Sequence, residues 1–565
     1  MNEISVTRRR LLTTTTAALG GAVLTGPATS LVAAAQSATP ETGPAPGSGP
    51  LGGQVKFAYA TPATLNPLFS TAGVDQGVSR QVYGALVAMT DAPDVEMDLA
   101  ESVDISEDAT TYTFHLRDGL KFPDGTPLTS KDVLFTFTRA IDPRTGSFWR
   151  SRFLAIDGAE AYDGVTVTDI PGLQAPDDKT VTMKLSAPDV TWLITLGDFA
   201  GFSILPEHAF GSIPPDQLQK APFSFAPGPG AGAFTFGEYL ADQYVSLNRN
   251  DAYQPPKANI DQLYLPILPQ TVTALSQLQN GELDIAQVLI PDMASVQGNP
   301  DLTVSSEPSV MMQFMVPNLT RPEFADKRVR QAMIYALDRA SIVKEIMLDQ
   351  VTVINSCFFG WQWENVEPEG LNTYPYDPDK ARQLLQEANW DSNTKVVSHY
   401  IPGNQLEESL LNIFVQQYKD VGINVELQAV DVPDYTNRIV SGAKDGQTGD
   451  FQLMLGSGGV MGQDPNITVK YITTNAATPT GSNYNHFSNA QVDELMIQGR
   501  ATKDVEERKR IYTEVAKIVN DEAVWIFLWR LNSIYGVNKR VQGFKAPGHP
   551  GRVISSAHKW SVVQQ

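Results

Sequence analysis

A chain of 565 residues exceeds what one hydrophobic core organises, so two or three domains are expected. Its 63 Asp and Glu against 42 Lys and Arg give a net charge of -21, which argues against an extended nucleic-acid contact or anchoring to an anionic membrane surface. One cysteine, Cys357, excludes an intrachain disulfide and any Cys-rich metal site, and reads as a small buried apolar residue.

Residues Thr7 to Thr13 read TRRRLLT, and an uncharged, small-residue apolar stretch runs from Ala17 to Ala35. A charged start, an apolar middle and an A-x-A end predict a cleavable export signal over 1–35. The Arg8 and Arg9 pair ahead of Leu11 and Leu12 resembles a twin-arginine signal, with an ordinary Sec signal as the alternative. No cysteine ends the apolar stretch and no later segment reaches the length of a membrane span, so a soluble exported protein without a lipid anchor is expected. Residues 36–53 are rich in Pro, Gly and Ser and predict a flexible linker.

Mixed α and β patterning begins at Gln54. The QVKFAYA of 54–60 alternates as a first strand; TYTFHLR (111–117) puts Tyr112, Phe114 and Leu116 on one face, and KTVTMKLS (179–186) does the same with Val181, Met183 and Leu185. Asp118-Gly119 and Asp124-Gly125 predict tight turns rather than a calcium loop, because further oxygen ligands are missing. Helical spacing then appears in ADKRVRQAMIYALDR, with Val329, Ala332, Met333, Ala336 and Leu337 on the buried face and Lys327, Arg328 and Arg330 outside it. It recurs in DPDKARQLLQEANW, with Ala381, Leu384, Leu385 and Ala388 behind a capping Asp377 and Pro378, and in 505–521. The apolar run VWIFLW, 524–529, is short enough for a buried strand.

Five segments in order resemble the extracellular solute-binding protein family 5, the peptide and nickel receptors of ABC importers. They are YTFHLRDGLKFPDGTPLTSKDVLFTFTRAIDP (112–143), NRNDAY (248–253), ALSQLQNGELDIA (274–286), RVRQAMIYALDRASIV (328–343) and YPYDPDKARQLLQEANW (374–390). The resemblance implies an α/β, two-lobed, periplasmic-binding-protein-like fold with hinge strands and an extra domain in the N-terminal half. By it, lobe I gathers 54–97, 225–310 and 530–565, domain II occupies 98–224, and lobe III spans 311–529. It further implies a monomeric receptor without cofactor or metal, capturing a small ligand in an interlobe cleft by hinge closure and delivering it to an ABC permease.

Two departures from the family pattern bear on the ligand. Where the family writes GTGPY, this chain has Gly230, Ala231, Gly232, Ala233 and Phe234; the GPGAGA from 228 is no dinucleotide loop, because Pro229 and a following strand FTFGEY contradict it. In FQLMLGSGGVMGQDPN (451–466), the family aspartate that pairs with a peptide's amino terminus falls on Met461, which holds no ammonium, so Asp464 is the nearest substitute. With Asp464, the expected ligand-binding residues are Asn66, Met461, Gln463, Asn466 and Asn483, together with two tryptophans. Trp361 and Trp363, at i, i+2 spacing, are stacking faces suited to a sugar as well as to a peptide side chain, or core tryptophans. The expected ligand is an oligopeptide, then an oligosaccharide or glycoside, then a nickel chelate. An exported hydrolase is the rival class, but the chain has no GxSxG, HExxH or P-loop motif. A ligand-sensing signalling protein of the same fold is a third reading that sequence alone leaves open.

Overall fold

The computed structural model describes residues 52–89, 95–197, 202–253, 257–358, 367–440, 449–460, 464–477, 482–549 and 552–563. Three larger sheets organise them. The first joins Gln54–Lys56, Gln262–Pro266, Tyr244–Arg249 and Phe234–Leu240 in that order, the N-terminal strand parallel to its neighbour and the rest antiparallel. The early strand therefore completes its hydrogen bonding only with chain that arrives 208 residues later. A second, antiparallel sheet orders Ala100–Ile105, Thr111–Leu116, Thr180–Lys184 and Leu173–Asp177. Tyr112, Phe114, Leu116, Val181, Met183 and Leu185 are all buried, as their alternation predicts.

The third sheet has seven strands, six of them ordered Ile285–Gln287, Ile526–Asn538, Leu302–Pro317, Leu453–Val460, Lys395–Tyr400 and Asn424–Ala429. Its centre is a pair of long antiparallel strands. Leu302–Pro308 lies against Asn532–Asn538, then the register breaks, and Met312–Met315 lies against Ile526–Arg530. The break is stitched by side chains: Ser309 Oγ donates to the Leu531 carbonyl at 2.7 Å and Arg530 Nε donates to the Ser309 carbonyl. Beyond it the sheet is covered on both faces. Met315, Leu453, Ile526 and Leu528 enter one core, and Met312, Phe314, Met454 and Phe527 enter another. Burial on both sides is why 524–529 is apolar at every position.

The expected helices form over Lys327–Tyr335, Pro378–Glu387 and Val505–Asp521. Asp377 caps the second by accepting from Lys380 N, with Pro378 at its first position. One expectation is overturned: Arg330 is buried, because its guanidinium donates to the carbonyls of Phe324 and Glu522 at 2.6 Å each, which satisfies the donors without water. The glycines of 230–233 also find their reason here. A Cβ on Gly230 would stand 2.2 Å from the Val82 carbonyl oxygen, and one on Gly232 would stand 2.3 Å from that of Gln81. The segment packs backbone to backbone on the last turn of the helix Gly73–Tyr83, and Gly232 N donates to Val82 O at 2.8 Å.

Candidate functional site

Just beyond the break in the long strands lies a cavity of about 810 Å³. Gln313, Leu531, Asn532 and Ile534 of the two strands form its floor. Opposite walls come from the stretch 287–292, which follows the strand Ile285–Gln287, and from the first turn of the helix Gln405–Asp420. That helix starts where it does because Asn404 caps it, its side chain accepting from Leu406 N and Glu407 N. Leu410 faces inward one turn later.

The electrostatics of the cavity centre on Glu407. Its carboxylate accepts from Gln313 Nε2 at 3.3 Å, and the Gln313 amide is oriented by Trp529 Nε1, which donates to Gln313 Oε1 at 2.8 Å. Burial pushes the Glu407 carboxyl above the usual range, since an ionised group there has lost water without gaining a cation. The neighbouring Glu408 has a structural task, accepting from Gly403 N at 2.9 Å. Neither Glu407 nor Gln313 was singled out from sequence. An acid in the first turn of a helix reads as support for the helix dipole, and nothing local shows that this one faces a cavity.

The residues expected at the site are scattered. Asp464 is fully buried and is no substitute partner for a ligand amine: its two oxygens accept from Arg508 Nη1 and Nη2 at 2.7 Å each, and it caps the short turn Pro465–Thr468 through Asn466 N. Asn66, also fully buried, donates to Leu218 O and Ser224 Oγ and accepts from Leu68 N, holding loops together. Asn483 likewise is spent on the carbonyls of Thr473 and Phe487. Asn466 Nδ2 donates to Thr191 Oγ1 at 3.3 Å, a contact to the region of the second sheet. Trp361, Trp363, Met461 and Gln463 lie outside the described residues, as does the expected export signal.

Further bonds accompany that of Asn466. Arg500 Nη2 pairs with Asp189 at 2.6 Å, Val190 N donates to Arg500 O, and Lys503 Nζ donates to Ser106 O at 2.9 Å. Among the described residues no group of His, Cys, Asp and Glu is arranged to hold a metal ion.

Residues 94–479 match the model of the bacterial extracellular solute-binding proteins, family 5. A protein of Brucella melitensis that carries the name of an ABC transporter peptide-binding protein is 31% identical over 509 residues, covering 88% of this chain and 91% of the relative. The oligopeptide-binding protein AppA of Bacillus subtilis is 25% identical over 530 residues, 91% of this chain and 92% of its own. Among solved structures, the ABC transporter substrate-binding protein CtaP of Listeria monocytogenes superposes with a TM-score of 0.79 at 26% identity, over 91% of this chain and 100% of that one.

Proposed function

Because the chain belongs to the bacterial extracellular solute-binding proteins of family 5 and has their two-lobed fold, we propose that it is the receptor of an ABC importer that captures an oligopeptide and hands it to a membrane permease. The observation that carries the reading is the broken pair of long strands with a cavity beside the break. A register interruption at Pro308–Met312 concentrates backbone change in a few residues between the two halves of the sheet, which suits a hinge. A cavity of about 810 Å³ falls within the usual range for enclosed small ligands. The peptide is favoured by relatives named for peptide binding. A saccharide would depend on stacking faces such as Trp361 and Trp363. Membership of a family of binding proteins favours capture over catalysis.

The lobes of this reading are 54–97 with 225–310 and 530–565, and 311–529, with 98–224 as the added domain. The chain acts as a monomer exported by the signal in 1–35. Arg8→Lys with Arg9→Lys should trap precursor in the cytoplasm if the twin-arginine route is used; undiminished export points to the Sec route.

Native mass spectrometry of freshly purified protein, followed by calorimetry with the ligand it releases, tests the function. The expected result is a bound peptide, recovered unchanged, whose return contracts the protein in solution scattering and raises its stability by about 2.7 kcal/mol at a hundredfold excess over Kd. Steady conversion of the ligand into product overturns it.

A further inference from the structure

We propose that Glu407 is the carboxylate that receives a cationic group of the ligand, so that the cavity beside the broken strands selects an organic ammonium or guanidinium and rejects a carboxylate. This rests on the receptor reading and names the chemistry that its site takes.

Among the described residues, the charged side chains lining the cavity are Glu407 and Asp292, and no Lys, Arg or His lines it. A ligand carboxylate placed there would meet like charge with no counter-ion, whereas a cation would meet its complement. Glu407 also has capacity to spare. One oxygen takes a single long hydrogen bond from a neutral amide, and among the described residues no cation pairs with it. The adjacent Glu408 shows the contrast, closing its own loop at Gly403 N. Because Trp529 fixes the Gln313 amide, the Glu407 carboxylate is held in one place by a residue of the long strand, just past the break. The preorganised acceptor therefore waits for a donor that the protein does not provide. The apolar remainder, with Leu406, Leu410, Leu531 and Ile534, suits the hydrocarbon part of such a ligand.

The cation has two sources in a peptide, the amino terminus and a basic side chain. Calorimetry on the full exported chain, wild type and Glu407→Gln, separates them with four probes: tetra-alanine, N-acetyl tetra-alanine, an N-acetylated tetrapeptide with one lysine, and 1,5-diaminopentane. Wild type is expected to bind at least one free cation and to lose about 30-fold or more when that cation is acetylated or Glu407 is neutralised, the size of stripping one partner from a buried charge pair. Glu408→Gln, one residue on, should bind as wild type. Loss on acetylating tetra-alanine identifies the terminus; rescue by the lysine probe identifies the side chain. If only the diamine binds, and binding needs Glu407, the peptide reading falls and the cation site stands. Peptides bound equally with and without acetylation, or by both proteins alike, overturn the site and leave the receptor. Failure of all four probes on wild type also overturns the site. Because the acetylation arm needs no variant, misfolding of Glu407→Gln leaves the test intact.

Discussion

The Arg500 guanidinium lies 2.6 Å from the Asp189 carboxylate although 311 residues of chain separate them. Asp189 is almost fully buried and spends its other oxygen on Thr191 N and Oγ1, so Arg500 is what satisfies the remaining one. With Lys503 on Ser106 and Asn466 on Thr191, the pair ties segments proposed here to belong to domain II and lobe III. Such bonds favour a closed arrangement over an open one.

Arg500→Ala should therefore shift the ligand-free protein toward the open form. Half-exposed ion pairs contribute little by themselves, about 0–1 kcal/mol. Here the loss also strands a buried carboxylate oxygen, so about 1–3 kcal/mol is expected. Ligand affinity should fall about tenfold, since a receptor that closes on its ligand binds in proportion to its closed population. Solution scattering of the ligand-free variant should show a larger radius of gyration. Unchanged scattering and affinity would mean that these bonds follow closure without favouring it.

Asp464→Asn should act on stability rather than on the ligand. The variant leaves Arg508, whose side chain is 11% exposed, facing a neutral amide. Breaking a buried pair on one side costs about 3–5 kcal/mol, to be read as a lowered denaturation midpoint. Calorimetry on the fraction that folds should return the wild-type ligand affinity. A large loss of affinity in a fully stable variant would restore Asp464 to the site.

Much of the framework was legible because burial on one or both faces writes itself into the sequence with a fixed period. Tyr112, Phe114 and Leu116 announce a half-buried strand, and Ala381, Leu384 and Leu385 a helix face. What escaped depends on partners distant in sequence. Asp464 beside a proline reads as an available loop acid until Arg508 arrives 44 residues later on a helix whose charges look solvated. Arg330 reads as exposed because its acceptors are mostly carbonyls, which sequence does not mark, and its one carboxylate partner, Glu522 at 3.2 Å, lies 192 residues away. The long strand Leu302–Pro317 was not anticipated, since Pro308 argues against a strand, and that proline sits where the pairing breaks.

Gly232→Ala should lower stability without touching the cavity. The added methyl would meet the Gln81 carbonyl at 2.3 Å and the Val82 carbonyl carbon at 2.7 Å, both backbone atoms of a helix end that no rotamer change can move. Either the helix Gly73–Tyr83 or the turn must shift, breaking the bonds from Gly232 N to Val82 O and from Asn250 Nδ2 to Gly232 O. A cost of about 2 kcal/mol or more is expected from overpacking. Wild-type thermal stability in the variant would show that the segment is not held as described.

His558 sets a pH limit on how the chain's end is held. Its imidazole is held down to about 4, first by burial and then by the positive charges of Lys559 and Arg80; Asp98 and Glu96 act in the opposite sense. The cations are themselves paired, Arg80 with Asp98 at 2.7 Å and Lys559 with Glu96 at 3.2 Å, so the ring faces a nearly neutral surround and burial dominates. In the unfolded chain the same group titrates near its ordinary 6.5. Between those values the unfolded state binds a proton that the folded state refuses, so stability is complete above about 6.5 and falls as pH drops toward 4. The loss amounts to about 3 kcal/mol over that interval. Other groups also titrate in acid, so the informative quantity is the difference between wild type and His558→Gln, which removes this term alone. Melting curves at pH 7, 6, 5 and 4 should converge, the variant being the less pH-sensitive of the two, and the His558 proton resonance should titrate with a midpoint near 4. Parallel pH profiles, or a midpoint near 6.5, would place the ring in water and detach it from the stability of the C-terminal strands Val541–Gln542 and Ser561–Val562.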